Sequence, residues 1–169
     1  LITNASKLDK LARHLPKEKA KKIIWIGVDV DSGIDSTYEK IRRSLTKYDL
    51  LPKVKQNIKL AVDAGINVDL KALLMEQNTT EEELYGLFNL VRETGARSLH
   101  IRPVFDIETK KVFVVTEKLK ELIHNISLKT NVKYNLPEYR KEPRTYTKCH
   151  QMFLYTILAA NGDIQICCE

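Results

Sequence analysis

The sequence predicts an α/β protein in which about four βα units surround a parallel sheet and a separate small β-hairpin follows. From Ile23 onward, short β-branched runs alternate with longer segments of helical periodicity, the order that βα units produce. Each predicted strand has one apolar face and one polar face. Near the end of the chain, Asn161-Gly162 separates two short apolar runs, which predicts a hairpin turn.

The predicted strands are residues 23–30, 67–74 and 98–103, and residues 1–3 are expected to end an earlier strand. Helices are predicted at 36–45, 52–64 and 80–94, because Ser36 and Thr80 each open a capping box and Gly65 and Gly95 suit left-handed C-caps. Amphipathic stripes predict two more helices, one over residues 8–15 and one over 112–126. We therefore expect a βα domain over 1–127, a basic linker over 128–148 and a second domain beginning at 149.

The 169 residues are 43% hydrophobic and 30% charged, a balance that excludes the disordered and fibrous classes. The longest nearly apolar run, residues 152–160, is far shorter than the roughly 18 residues that cross a bilayer. We expect a cytoplasmic protein with no membrane partner. The chain opens without methionine and stops where a hairpin finishes, so we also expect a piece of a longer protein.

The net charge of +6 comes from two segments, residues 7–22 and 129–148. No aromatic platform or recognition motif accompanies them, so we do not predict a nucleic-acid partner. Solvated helix faces and a basic linker explain the excess.

The two faces of the predicted strands differ in polarity, because side chains alternate along a strand. Ile24, Ile26 and Val28 share the apolar face of the first full strand. The polar faces of the three strands contain Trp25, Asp29, Asp31, Asp69, Lys71, His100 and Arg102. These side chains predict a cavity that holds water, cofactor or substrate. A mutual salt-bridge cluster without catalytic use is the alternative, and for His100 alone hydrogen-bonded packing is the more common role.

The three cysteines, Cys149, Cys167 and Cys168, lie in the last 21 residues, which disfavours a disulfide framework and favours a metal or cluster site. A two-residue turn would place Ala160 opposite Asp163 and Cys167 near Thr156. A short bend around His150 and Gln151 would then bring the sulfur of Cys149 alongside Cys167. Cys168 would point to the other face. Two unrelated buried thiols remain the alternative.

The segment CHQMFLYTILAANGDIQICC resembles the opening of the SPASM or twitch extension of radical S-adenosylmethionine (SAM) enzymes. Cys149 is followed after twelve residues by Gly162 and after four more by Cys167, which matches the first signature of that extension. In order along the chain, ITNAS, IWIGVDVDSGIDSTYEKIRRS, GINVDLKALLMEQNTTEEEL and SLHIRPVF are similar to the third to sixth strands of the family's partial (β/α) barrel. The resemblance covers essentially the whole chain.

The resemblance implies the positions of the cofactor and cluster ligands. Thr3 and Asn4 fall at the cofactor-binding rim, Asp29 takes the place of a serine that contacts the cofactor, and Arg42 matches an arginine that holds the methionine carboxylate. The resemblance also implies that Cys149 and Cys167 bind an auxiliary iron-sulfur cluster. The candidates for substrate contacts in the lumen are Asp31, Asp69, Lys71, His100 and Arg102. Ala5, where glycine is usual, and the negative charge of Asp29 depart from the family pattern.

The implied activity of the parent protein is reductive cleavage of SAM and hydrogen abstraction from a substrate by a 5′-deoxyadenosyl radical. The electron would come from a 4Fe-4S cluster of the enzyme, which an electron donor such as a flavodoxin or ferredoxin would reduce. The Cys-x3-Cys-x2-Cys loop that binds this cluster in the family is absent from the chain. We expect the loop upstream, and we expect the chain alone to be inactive.

The sequence does not choose among peptide, protein, sugar and small-metabolite substrates. Two other functions stay open: a (β/α) barrel lyase or aldolase that uses Lys71 as a Schiff-base amine, and a non-catalytic module that carries a cluster or binds a peptide.

Overall fold

The computed structural model describes residues 2–42, 50–106 and 109–137, together with the paired residues 157–158 and 164–165. The chain divides into two compact units, Leu1–Glu138 and Tyr139–Glu169. The described strands, in chain order, are β1 Ile2–Thr3, β2 Ile26–Asp29, β3 Val68–Leu74, β4 Ser98–Pro103, β5 Phe105–Asp106, β6 Lys111–Val112, β7 Tyr134–Asn135, β8 Ile157–Leu158 and β9 Ile164–Gln165. The helices are α1 Leu8–His14, α2 Lys17–Ala20, α3 Asp35–Arg42, α4 Leu50–Asp63, α5 Glu81–Thr94 and α6 Glu117–Thr130.

The main sheet of the first unit is parallel, with the order β1-β2-β3-β4-β7. Because chain neighbours are also sheet neighbours, right-handed crossovers place the helices on one face, as in the wall of a (β/α) barrel. The buried core lies between this face and the helices, and its largest side chains include Phe88, Leu70 and Ile58. The predicted α/β class with a parallel sheet is confirmed.

The period-two pattern predicted most of the two faces of the sheet correctly. Ile26, Val28 and Leu70 are fully buried. Ile24 is an exception: its prediction as a core residue is wrong, since β2 begins at Ile26 and Ile24 is 82% exposed. β2 is shorter than its apolar run, and its ladder partners on β3 extend only from Val68 to Lys71.

Several predicted helix ends need correction. Helix α3 begins at Asp35, so Ser36 lies inside its first turn and does not open a capping box. Thr80 does cap α5, accepting a hydrogen bond from the Glu83 amide. Gly65 and Gly95 both have the predicted positive φ.

The region between β4 and α6 also differs from the prediction. Val112 lies in an antiparallel ribbon opposite Phe105, and the last helix starts only at Glu117, after its N-cap Thr116. The expected linker is partly regular, because α6 continues to Thr130 and residues Tyr134–Asn135 form β7. A two-residue strand leaves no periodic pattern in the sequence.

The second unit contains the predicted antiparallel hairpin, formed by β8 and β9. Leu158 pairs with Ile164, and Ile157 pairs with Gln165. The predicted register, with Ala160 opposite Asp163, is therefore off by one residue. The observed pairs enclose an odd number of residues, which a two-residue turn cannot produce.

None of the helices in the described ranges is long and apolar enough to cross a membrane.

Candidate functional site

A cavity of about 210 Å³ lies on the side of the parallel sheet that faces away from the core. It lies beside the carboxyl-terminal halves of β2, β3 and β4, where open parallel sheets and barrels bind their ligands. Its lining consists of Asp29, Asp31, Arg42, Lys71, Ala72, Leu73, His100 and Arg102. The structure thus brings together five of the seven side chains that the strand pattern assigned to one lumen.

Strand register aligns four polar residues in one row across the sheet. Asp29 is opposite Lys71, Lys71 is opposite His100, and His100 is opposite Asn135. Residues in register on parallel strands point to the same side of the sheet. The row therefore presents an acid, an amine, an imidazole and an amide to the same side of the sheet.

Asp31 and Arg42 anchor each other at the end of β2. The Asp31 carboxylate lies 3.0 Å from Arg42 Nη2 and accepts a hydrogen bond of 2.9 Å from the Leu73 amide. Arg42 Nη2 also donates to the carbonyl oxygen of Asp29 at 2.8 Å. Within the described part of the chain, the buried Nε of Arg42 has no hydrogen-bond partner. The guanidinium is thus held by Asp31 and by the Asp29 carbonyl oxygen.

Asp29 carries a carboxylate whose ionisation is disfavoured. Burial raises its pKa above the ordinary value, and the positive charges of Lys71 and Arg42 only partly oppose this effect. A ligand ammonium or hydroxyl placed beside Asp29 would offset the cost of the buried charge.

Asp69, predicted to face the cavity, is not among its lining residues. Its carboxylate accepts two hydrogen bonds from Arg97, at 2.9 and 2.6 Å, and one of 2.8 Å from Ser98. Burial raises its pKa, but these hydrogen bonds and the charge of Arg97 outweigh burial and hold the pKa below its usual value. His100 Nε2 lies 3.9 Å away, too far for a hydrogen bond. Sequence analysis missed Arg97, whose only signal is its position directly before β4.

Asn78 holds the ends of β2 and β3 together and was not singled out from the sequence. Its fully buried side chain donates to the carbonyl oxygens of Asp31 and Leu73, both at 2.7 Å, and accepts from the Met75 amide at 2.9 Å. Asn78, the last residue of the GINVDLKALLMEQN segment, therefore fixes the rim of the cavity.

The loop after β2 is fastened to α5 by a buried hydrogen bond. Ser32 Oγ donates to Glu83 Oε2 at 2.7 Å and accepts from the Ile34 amide at 2.9 Å. Both Ser32 and Glu83 are buried. Glu83 therefore does not close the predicted capping box but supports the loop that carries Asp31.

Thr3 and Asn4 lie at the end of β1 and do not line the cavity. Thr3 Oγ1 accepts from the Ala5 amide at 3.2 Å, and Asn4 Oδ1 accepts from the Ser6 amide at 3.1 Å. Ala5 is fully buried with φ of 58°, a conformation that favours glycine. Buried Asn57 donates to the Ala5 carbonyl oxygen at 2.9 Å and supports this turn.

Trp25 lies on the same face as Lys71, over Gly27. A Cβ at Gly27 would lie 2.6 Å from Trp25 Cζ3 and 2.9 Å from Lys71 Cδ. Glycine at this position leaves room for both side chains, and the indole is 36% exposed.

The predicted cluster ligands Cys149 and Cys167, like Cys168, lie outside the described residues. Among the residues that are described, no group of three His, Cys, Asp or Glu side chains is arranged to hold a metal ion.

No protein-family model matches the sequence, and no curated protein matches it significantly. The structure is similar to the crystal structure of a radical SAM methyltransferase from Sphaerobacter thermophilus, with a TM-score of 0.57 and 12% sequence identity. The chain has a radical SAM-like fold. The match covers 79% of this chain and 37% of the methyltransferase, so this chain spans well under half of the length of the enzyme.

Proposed function

We propose that the chain forms part of a longer radical SAM enzyme, with the cofactor and the substrate bound on the open face of the parallel sheet. The observation that carries this proposal is the charged cavity beside the strand ends, in a chain whose fold is similar to that of a radical SAM methyltransferase. A wall of parallel strands with one solvent-facing polar side suits a lumen that must hold a zwitterionic cofactor.

The cavity residues fit the polar groups of SAM. Arg42 keeps one buried Nε donor without a partner in the described residues, and guanidinium groups suit carboxylates. Asp29 offers an acceptor for ribose hydroxyls or for the ammonium group. The Asp31 contact fixes Arg42, so the carboxylate would meet a donor that is already oriented. Thr3 and Asn4 are assigned to the rim on resemblance alone.

The iron-sulfur clusters would be bound by cysteines in other parts of the longer protein and by cysteines of the second unit. We propose a three-cysteine loop upstream of Leu1 for the 4Fe-4S cluster, with Cys149 and Cys167 as ligands of an auxiliary cluster. When bound, cluster and SAM would provide the radical that abstracts a substrate hydrogen. A cytoplasmic flavodoxin or ferredoxin is the proposed electron donor.

The test uses the longer natural protein after anaerobic cluster reconstitution, and 5′-deoxyadenosine is measured after reduction with dithionite. We expect 5′-deoxyadenosine from that protein and none from the 169-residue chain. Arg42→Gln should raise the KM for SAM, whereas Lys40→Gln, which removes an exposed charge from the same helix, should not. A longer protein that binds no cluster and forms no 5′-deoxyadenosine would contradict the proposal.

The lyase alternative rests on Lys71, which lines the same cavity as Asp29 and His100. An amine between an acid and an imidazole has the neighbours that Schiff-base chemistry uses. Borohydride trapping with carbonyl compounds, followed by mass spectrometry, should leave Lys71 unmodified if the radical SAM proposal is right.

A further inference from the structure

The charges that line the cavity do not cancel one another. Asp31 and Arg42 form an ion pair of 3.0 Å, and this pair leaves the carboxylate of Asp29 and the two cations Lys71 and Arg102. Among the described residues, neither Lys71 nor Arg102 forms an ion pair or a side-chain hydrogen bond. The cavity therefore has an excess of positive charge on its β3 and β4 side.

Lys71 and Arg102 are close enough to act on one ligand group. Lys71 is in register with His100, and Arg102 follows two residues later on the same face of β4. With a strand spacing of about 4.8 Å and a rise of about 3.3 Å per residue, their Cα atoms lie roughly 8 Å apart. Both side chains are long, so their charged ends can meet at one small anion while His100 lies between them.

Asp29 lies beside Lys71 on β2, so the cavity has a carboxyl group toward β2 and two cations toward β3 and β4. A cationic ligand would meet one carboxylate and two cations, and an anionic ligand placed toward β4 would meet two cations and avoid Asp29. Lys71 is half-buried and Arg102 is exposed, and an anion that binds between them would balance two charges that have no ion-pair partner among the described residues.

We propose that the substrate of this site carries a carboxylate or phosphate group, and that Lys71 and Arg102 bind this group in the cavity. That the ligand is a substrate rests on the proposed function, but the anion site itself requires neither cluster nor cofactor. Arg102 supplies a planar fork of donors and Lys71 a point charge, a combination that suits oxyanions.

Trp25 provides the readout, because it is the single tryptophan of the chain and lies beside the Lys71 stem. The 169-residue chain is titrated with methyl phosphate in one arm and acetate in the other, and Trp25 fluorescence is followed at low salt. We expect saturable binding, and the arm with the lower Kd identifies the oxyanion. Circular dichroism checks that each variant is folded.

Lys71→Met and Arg102→Gln should each weaken binding about tenfold, the effect of losing one charge-assisted hydrogen bond. Arg102 is exposed, so its replacement leaves the fold intact even if Lys71→Met does not. Asp29→Asn should tighten binding severalfold. The control variants Arg92→Gln and Lys53→Met remove exposed charges outside the cavity and should leave Kd unchanged.

Two results would overturn the proposal: no saturable response to either anion, or an equal loss of affinity in the control variants. Both are independent of the 5′-deoxyadenosine assay. An enzyme that cleaves SAM but fails the titration would disprove the anion site alone, and the reverse result would disprove the proposed function alone.

Discussion

The guanidinium of Arg97 donates two hydrogen bonds, at 2.9 and 2.6 Å, to the carboxylate of Asp69. This pairing joins the start of β4 to β3 and removes Asp69 from the charges available to a ligand. Asp29, on the neighbouring strand β2, has no ion-pair partner among the described residues. Two aspartates on neighbouring strands therefore have pKa values displaced in opposite directions, which allows separate tests.

Asp69→Asn should destabilise the fold by about 1 to 3 kcal/mol at pH 7, because it replaces charge-assisted hydrogen bonds of a buried carboxylate. The pKa of Asp69 is lowered in the fold, so its ionised form contributes stability above about pH 5 and loses it as the pH falls through the lowered pKa. Urea unfolding from pH 7 to pH 3 should show the difference between wild type and variant shrinking. Glu117→Gln, which removes an 81% exposed carboxylate from its ion pair with Lys120, should cost less than about 0.5 kcal/mol.

Asp29→Asn should change the stability at pH 7 in the opposite direction from Asp69→Asn. A carboxyl whose pKa is raised by folding costs stability as the pH rises above its unfolded pKa, and this cost is absent at low pH. The variant should therefore equal wild type near pH 3 and be at least as stable at pH 7. A clear loss of stability at pH 7 would mean that the Asp29 carboxylate is paired, contrary to the structure.

Asn78→Ala should destabilise the protein by about 2 to 3 kcal/mol, because three hydrogen bonds are lost and buried backbone groups at the ends of β2 and β3 are left without partners. Asn67→Ala is the matched control, since Asn67 makes one exposed hydrogen bond of 3.2 Å to the Ile24 carbonyl oxygen. Thermal unfolding of the two variants should separate them clearly. Equal losses would show that Asn78 does not hold the rim.

The period-two pattern predicted five of the side chains that line the cavity, because a buried face leaves only one register for each strand. Trp25 and Asp69, which the pattern added to them, do not line it. The same pattern could not reveal Arg97 or Asn78. Their partners lie on other strands or loops, and a sequence does not show which residues stand opposite each other. The pattern also wrongly predicted Ile24 as a core residue, because this apolar residue precedes Ile26, the first residue of β2 that pairs with β3.

Gly33→Ala and Gly27→Ala should differ in effect although the substitution is the same. A Cβ at Gly33 would overlap the backbone carbonyl of Gly86 and lie 2.7 Å from the Leu87 nitrogen, so the loop after β2 would have to leave α5. We expect a loss of about 3 kcal/mol in urea unfolding.

At Gly27 the crowded atoms belong to the side chains of Trp25 and Lys71, which can rotate away. Gly27→Ala should cost less than about 1 kcal/mol but should shift the fluorescence emission of Trp25. An unchanged emission spectrum would mean that the indole does not lie over Gly27.

Cys149, Cys167 and Cys168 all lie outside the described residues. Adjacent residues of a regular strand point to opposite faces, so one cluster is not expected to recruit both Cys167 and Cys168. Cys167 completes the spacing from Gly162. In the longer protein, Cys149→Ser and Cys167→Ser should each lower the iron content by about one cluster, because thiolates are the ligands that iron-sulfur clusters require.

Cys168→Ser is the matched control and should leave iron content nearly unchanged. The observed hairpin register differs by one residue from the register that a two-residue turn would give. A strand displaced by one residue exchanges its faces, so the comparison of the two variants is informative. Loss of the cluster in Cys168→Ser, with retention in Cys167→Ser, would assign the ligand role to Cys168. It would also contradict the resemblance to the auxiliary-cluster signature, in which Cys167 completes the spacing from Gly162.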